Sequence, residues 1–215
     1  MNDRIAKLIS YLFHPLVLPV YAVLLLFFLP SWISGYQYEY KKTISLIVFL
    51  LTLIIPTLIL LILLNLRVIR NLTLYGRKDR YIPYAVIAFF YTSAYIVMVH
   101  FPLGIPANIS NFVLIADIII VVLMLLNFVF KISAHMAGIG GFFSFFYVFI
   151  LKEVMSDILF SLFNIDFTIL FFIIFLVILS GIIASARLQL NDHNVLQIVL
   201  GFLIGFFIGL FSFWI

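Results

Sequence analysis

Apolar residues run along this chain in long blocks, and the polar residues gather in the seams between them. A helix that crosses a hydrocarbon layer of roughly 30 Å needs about 20 apolar residues. The blocks at 11–30, 45–65, 82–100, 112–130, 137–151, 167–184 and 195–215 therefore predict seven spanning helices. The fifth is short, so Lys152 and Glu153 at its end are expected to reach the interface by snorkelling. Runs such as "LIVFLLTLIIPTLILLILLNL" show no polar alternation, which excludes a membrane β-barrel. Pro15 and Pro19 mark the start of the first helix, where a missing amide donor matters least. The expected fold is all-α: a polytopic integral membrane bundle forming one domain over residues 1–215.

Composition agrees with that pattern. Hydrophobic residues make up 67% of the chain and charged residues 9%, against about 25% charged in a soluble domain. Arg4 and Lys7 precede an apolar run with no small-residue cleavage site, so the first block reads as a retained span. The chain has no cysteine, which removes thiol catalysis, disulfides and thiolate metal sites. Nothing points to nucleic acid. The expected location is the cell membrane of a prokaryote.

Seven spans put the N-terminus and the connections 2/3, 4/5 and 6/7 on one membrane face, called face A here. It receives Arg4, Lys7, Arg67, Arg70, Arg77, Lys78, Arg80, Lys131 and Arg187, nine of the 12 basic residues. Lys41, Lys42 and Lys152 fall on face B. By the positive-inside rule face A is cytoplasmic. Cations retained for chemistry carry no topological information, however. Without Arg77, Lys78, Arg80, Lys131 and Arg187, four stand against three and the bias orients nothing.

Three clusters share face A: "YGRKDRYIP" at 75–83, "KISAHMAGIGG" at 131–141 and "SARLQLNDHNVLQ" at 185–197. Cations, a hydroxyl and two histidines on one face are the groups that phosphoryl transfer needs. Guanidinium forks hold nonbridging oxygens, one imidazole attacks, and another protonates the leaving oxygen. Amides at the starts of the fifth and seventh helices add donors for a phosphate. No acidic cluster is present to hold magnesium, so the neutralising charge falls to arginine and lysine, and neither metal nor cofactor is expected.

The order and spacing of these residues resemble the type 2 phosphatidic acid phosphatases, whose signature is K-x6-R-P, then P-S-G-H, then S-R-x5-H-x3-D. Here Arg187-x5-His193-x3-Gln197 follows Ser133-x-His135, with a basic segment ending at Pro83 before both. The likeness covers roughly residues 75–200, within a phosphatase-like core of 67–215. It implies that His193 is the nucleophile, that His135 protonates the leaving alcohol, and that Arg187 and Ser133 hold the phosphate. Arg80, with Arg77 and Lys78 as rivals, stands for the first motif. The implied activity is metal-independent dephosphorylation of a membrane lipid phosphate or polyprenyl diphosphate through a phosphohistidine.

This chain departs from the family pattern at several positions. "ISAH" replaces P-S-G-H, Ala186 stands where serine is expected, Arg80 and Pro83 are two residues too far apart, and Thr73 occupies the lysine position. Gln197 replaces the family's aspartate. If the last helix starts near Asp192, its expected N-cap, then His193 and Gln197 lie one turn apart and the glutamine carbonyl can orient the imidazole. Asp192 itself is then expected to point elsewhere.

Other polar residues have plainer readings. Arg67 and Arg70 read as topology anchors, and His14 and His100 as polar surface. Asp117, placed nearer face B, reads as a helix-pairing residue. Gly201, Gly205 and Gly209, spaced by four, suit close helix packing, and "GYQYEY" suits an interfacial aromatic belt. Two other functional classes stay open: a catalytically silent binder of phospholipid headgroups, and a small lipid transporter built around Asp117.

Overall fold

The computed structural model describes residues 1–69, 76–100, 104–154, 156–162 and 165–214. Arg70, Thr73 and Tyr75 lie outside the described residues, as does Ile215 at the end of the expected last span. The fold is an all-α bundle, and among the described residues six helices are long and apolar enough to cross a membrane.

The expected first span is two helices. Amphipathic α1 (Asp3–Leu12) and apolar α2 (Leu18–Phe28) meet at an elbow around Pro15. Pro19 falls in the first turn of α2, where its absent N–H leaves no bond unmade. At 11 residues, α2 is about 16 Å long, and extended chain beyond it carries Trp32 to the far end of α7, where its indole N–H donates to Glu153. That contact, with Lys152 donating to the Phe213 carbonyl, marks face B.

The second span begins earlier than its apolar pattern suggests. α3 (Tyr38–Val48) runs through a π-helical stretch, Phe49–Ile54, into α4 (Ile55–Asn65). Pro56 comes two residues after it, and a wide turn ahead of a proline accommodates the ring and the carbonyl that loses its donor. α5 (Tyr81–His100) and α6 (Ala107–Leu126) pair next. Thr92 donates to Asp117 at 2.6 Å, so the carboxylate ties these two helices together. Asp117 sits at the middle of α6 rather than near face B.

α7 (Ala134–Glu153) is 20 residues long, not the short span expected, because Ser133 caps it four residues upstream of the apolar block at 137–151. Its length alone carries Lys152 and Glu153 to the interface. A two-stranded antiparallel hairpin, β1 (Ile158–Leu162) and β2 (Ile165–Thr168), follows on face B and pairs Phe160 with Phe167. The sequence pattern held no sign of it. α8 (Ile169–Gln189) and α9 (Val195–Leu210) return the chain to face A and back.

The core of the bundle is the contact between α7 and α9. A Cβ on Gly201 would lie 2.7 Å from the Ser133 carbonyl oxygen, one on Gly205 would collide with the Ala137 carbonyl, and one on Gly209 would lie 2.7 Å from the Gly141 carbonyl. Two ladders spaced by four residues thus face each other with backbone against backbone. One turn above Gly201, the Ser133 N–H donates to the Gln197 carbonyl at 3.2 Å. The ladder therefore sets the start of α9 directly beside the start of α7.

Candidate functional site

Chain reversal after α8 builds the site. Asn191 takes a left-handed conformation, φ 55°, which suits the residue just past a helix C-terminus. The turn folds Asp192 back onto Arg187, one of its carboxylate oxygens lying 2.6 Å from the guanidinium. Asn194, not Asp192, is the N-cap of α9, and its side chain accepts from the Gln197 N–H at 2.9 Å. Asp192 is free to pair with the arginine because the asparagine takes the capping role. Asp192 thus points into the cluster, contrary to the helical placement expected for it.

His193 is left in the turn, 6% exposed, with Nδ1 2.9 Å from Oε1 of Gln197. An amide oxygen only accepts, so Nδ1 carries the proton and Nε2 carries the lone pair. Burial lowers the imidazole to about 3; the Gln197 hydrogen bond opposes this, and Arg80, Arg187 and Lys131 add to the lowering. Histidine here is a neutral base surrounded by cations.

Those cations come from three elements. Arg80, buried at the start of α5, donates to the Ile132 carbonyl at 2.8 Å. Lys131 donates to the Asp192 carbonyl at 2.8 Å. Burial lowers its ammonium, as do Arg80 and Arg187, while Asp192 raises it. Arg187, at the end of α8, also donates to the Ser10 hydroxyl at 3.2 Å. Arg77 is directed elsewhere, to the carbonyls of Phe128 and Val129 at the end of α6, and Lys78 is exposed. Of the three rivals in the first motif, Arg80 alone is placed in the cluster.

Ser133 is fully buried and caps α7, its Oγ accepting from the Met136 N–H at 3.4 Å. A hydroxyl used this way keeps its own hydrogen to donate. His135, in the first turn of α7, donates through Nε2 to the Ser10 carbonyl at 3.0 Å. Its ring meets the edge of His14, with centroids 5.3 Å apart and planes at 87°.

His14 is therefore not polar surface. Its Nδ1 accepts from the Leu16 N–H at 3.3 Å, and burial, with Arg187 nearby, lowers its imidazole to about 4. His14, Ser10, Lys131 and Asp192 are the members that motif spacing did not select. Position in "FHPLVLP" at the face A end was the available signal for His14, and adjacency to His193 was the signal for Asp192. His100 is exposed, its ring bonded to the Ile96 carbonyl of its own helix.

Among the described residues no group of three or more histidine, aspartate or glutamate side chains is placed to hold a metal ion. The arrangement offers three cations, two helix N-termini and a buried neutral imidazole with its lone pair on Nε2, which together suit the charge of a phosphate. Between α2, α7 and α8, an apolar groove of about 510 Å³, open to the outside of the bundle, is lined by Phe13, Tyr21, Phe142, Phe175 and Leu179 among others. Leu179 lies two helical turns below Arg187, about 12 Å at the usual rise.

Compared with known proteins, the chain matches no family model, no curated protein and no solved structure.

Proposed function

We propose that the protein is a metal-independent membrane phosphatase that removes phosphate from a lipid phosphate or polyprenyl diphosphate. One observation carries this reading. His193 is held by Gln197 in the tautomer that leaves the lone pair on Nε2, and it lies within the electrostatic reach of Arg80, Lys131 and Arg187.

In the proposed reaction Nε2 of His193 attacks phosphorus, the bond from phosphorus to the leaving oxygen breaks, and a phosphohistidine forms. The three cations take up charge on the nonbridging oxygens, a role in which each donor is worth more because water is excluded. The leaving oxygen needs a proton. A phosphate monoester carries about −1.5 to −2 charges, so its arrival favours the imidazolium form of His135. Nε2–H then stays on the Ser10 carbonyl while Nδ1–H goes to the leaving oxygen, an alcohol for a monoester and a monophosphate for a diphosphate. Water attacks the phosphohistidine, returns a proton to His135 and releases inorganic phosphate. The Arg187 pair with Asp192 has to open or share its fork with the substrate, which makes the carboxylate a competitor for the same cation. Hydrocarbon tails of the substrate would lie along the open apolar groove between α2, α7 and α8 and in the bilayer beyond it.

The same geometry favours a second reading at one point. Gln197 accepts the imidazole N–H but brings no negative charge to stabilise the imidazolium. A cluster of this kind can hold a phospholipid headgroup without turning it over.

Phosphate release by detergent-purified protein in EDTA separates the two. Phosphatidate, phosphatidylglycerol phosphate and a polyprenyl diphosphate form the substrate panel. Turnover in EDTA that His193→Ala and His135→Ala both abolish supports the phosphatase. Headgroup binding without turnover of any substrate replaces it with the binding protein.

A further inference from the structure

Helix α1 joins the site from outside the six long helices. Its outer side carries Ile5, Leu8 and Leu12, which are 52%, 57% and 48% exposed, while Ala6 and Ser10 are buried on its inner side against α8. Gln189 of α8 donates to Asp3 at 2.9 Å. An apolar stripe on a short helix that also carries Arg4 and Lys7 is the makeup of a helix lying in the membrane interface.

The last turn of α1 ends in an uncommon way. The final carbonyls of a helix lack intrahelical donors and must find others. Ile9 receives the Phe13 N–H, Tyr11 the His14 N–H and Leu12 the Tyr21 hydroxyl, all close in sequence. The Ser10 carbonyl instead receives the ring N–H of His135, 125 residues away. The hydroxyl of the same residue receives Arg187 from α8 at 3.2 Å. One residue thus grips both a histidine and an arginine of the cluster, and the elbow that follows sets His14 edge-on against the same histidine.

We propose that α1 is a working part of the site, with Ser10 and His14 as positioning residues that fix the ring of His135 and the fork of Arg187. The Ser10 carbonyl fixes the His135 proton on Nε2, which assigns the other ring nitrogen to the leaving oxygen. The Ser10 hydroxyl holds Arg187 in reach of the phosphate. Because α1 rests on the bilayer surface, the site is complete only while that helix is docked. This role rests on the phosphatase reading for its catalytic half and on phosphate binding alone for the other.

Five variants of the full chain test it: Ser10→Ala, Ser10→Thr, Ala6→Leu, His14→Ala and His14→Phe. Each is assayed for EDTA-resistant phosphate release and for the Kd of inorganic phosphate, with melting temperature as a check on the fold. Ser10→Ala removes one hydrogen bond to the arginine, so KM and the phosphate Kd are expected to rise about five- to tenfold with kcat little changed. Ser10→Thr restores both. Ala6→Leu wedges α1 away from α8, and misplacing His135 by about 1 Å lowers kcat by about a hundredfold. His14→Phe, which keeps a ring edge against His135, retains most of kcat, whereas His14→Ala does not. Wild-type KM, kcat and phosphate Kd in both Ser10→Ala and Ala6→Leu would overturn the proposal. If the wild-type protein binds phosphate but hydrolyses nothing, the phosphatase reading fails, and the Kd series still decides whether Ser10 holds Arg187.

Discussion

At the level of single side chains, Gln197 sets the tautomer of His193. Its oxygen fixes the tautomer at 2.9 Å but supplies no charge. On the phosphatase reading, Gln197→Leu removes the orienting acceptor and is expected to lower kcat about a hundredfold or more, the scale seen when a catalytic histidine loses its orienting partner. Gln197→Glu keeps the shape and adds a carboxylate, so kcat should rise and the acid limb of kcat/KM should move to higher pH. An unchanged pH profile in Gln197→Glu would show that this residue does not act on His193. The buried histidines also predict how stability responds to acid. His14 and His193 titrate at about 4 and about 3 when folded, against 6.5 for an unperturbed imidazole. Between those values the unfolded chain binds more protons than the folded one. Stability from these two residues is therefore fully present above about pH 6.5 and declines as the pH falls, down to about 4 for His14 and about 3 for His193. Melting in detergent across that range should show the decline, and His14→Phe should flatten it. Equal slopes in both proteins would rule out His14 as a contributor.

The α7–α9 ladder is the element that brings the two histidine motifs together, and glycine is required there for close approach, not for an unusual turn. A methyl group on Gly205 would collide with the Ala137 carbonyl, whereas at Gly181, in α8, it would meet nothing within 4 Å. Gly205→Ala is expected to lower the melting temperature and, by lifting Gln197 off Ser133, to reduce phosphate release about tenfold or more. Gly181→Ala should hold activity and gain slightly in stability, since alanine is favoured over glycine within a helix by roughly 0.5–1 kcal/mol. Equal loss in both would mean that the ladder is not what positions the site. The spacing by four was legible in the sequence as a packing motif. Its connection to the chemistry was not, because nothing local indicates that Ser133 sits opposite the turn before Gly201.

For the molecule as a whole, the chain reversals put Lys7, Lys78 and Gln189 at one end of the bundle and Lys42 and Asp157 at the other. The chain lacks cysteine, so single engineered cysteines report sidedness without background. Cysteines at positions 7, 78 and 189 should label together with an impermeant reagent from one side of sealed vesicles, and those at 42 and 157 only from the other. Labelling of 78 and 157 from the same side would be incompatible with this bundle.

Much of this architecture follows from composition and periodicity, because a bilayer demands long apolar helices and polar residues survive in the seams between them. That requirement made the helical class, most span positions and the shared face of Ser133, His135, Arg187 and His193 readable from order and spacing alone. It did not reveal the break at Pro15, since a kinked and a straight apolar run have the same hydropathy. It also left the partners of each polar group undetermined. Which cation joined His193, how Asp192 came to face Arg187, and why His14 and Ser10 belong to the cluster were decided by tertiary packing. A hydrogen bond between residues 125 apart in sequence, such as that of His135 to Ser10, depends on where helices meet, and no local pattern encodes that distance.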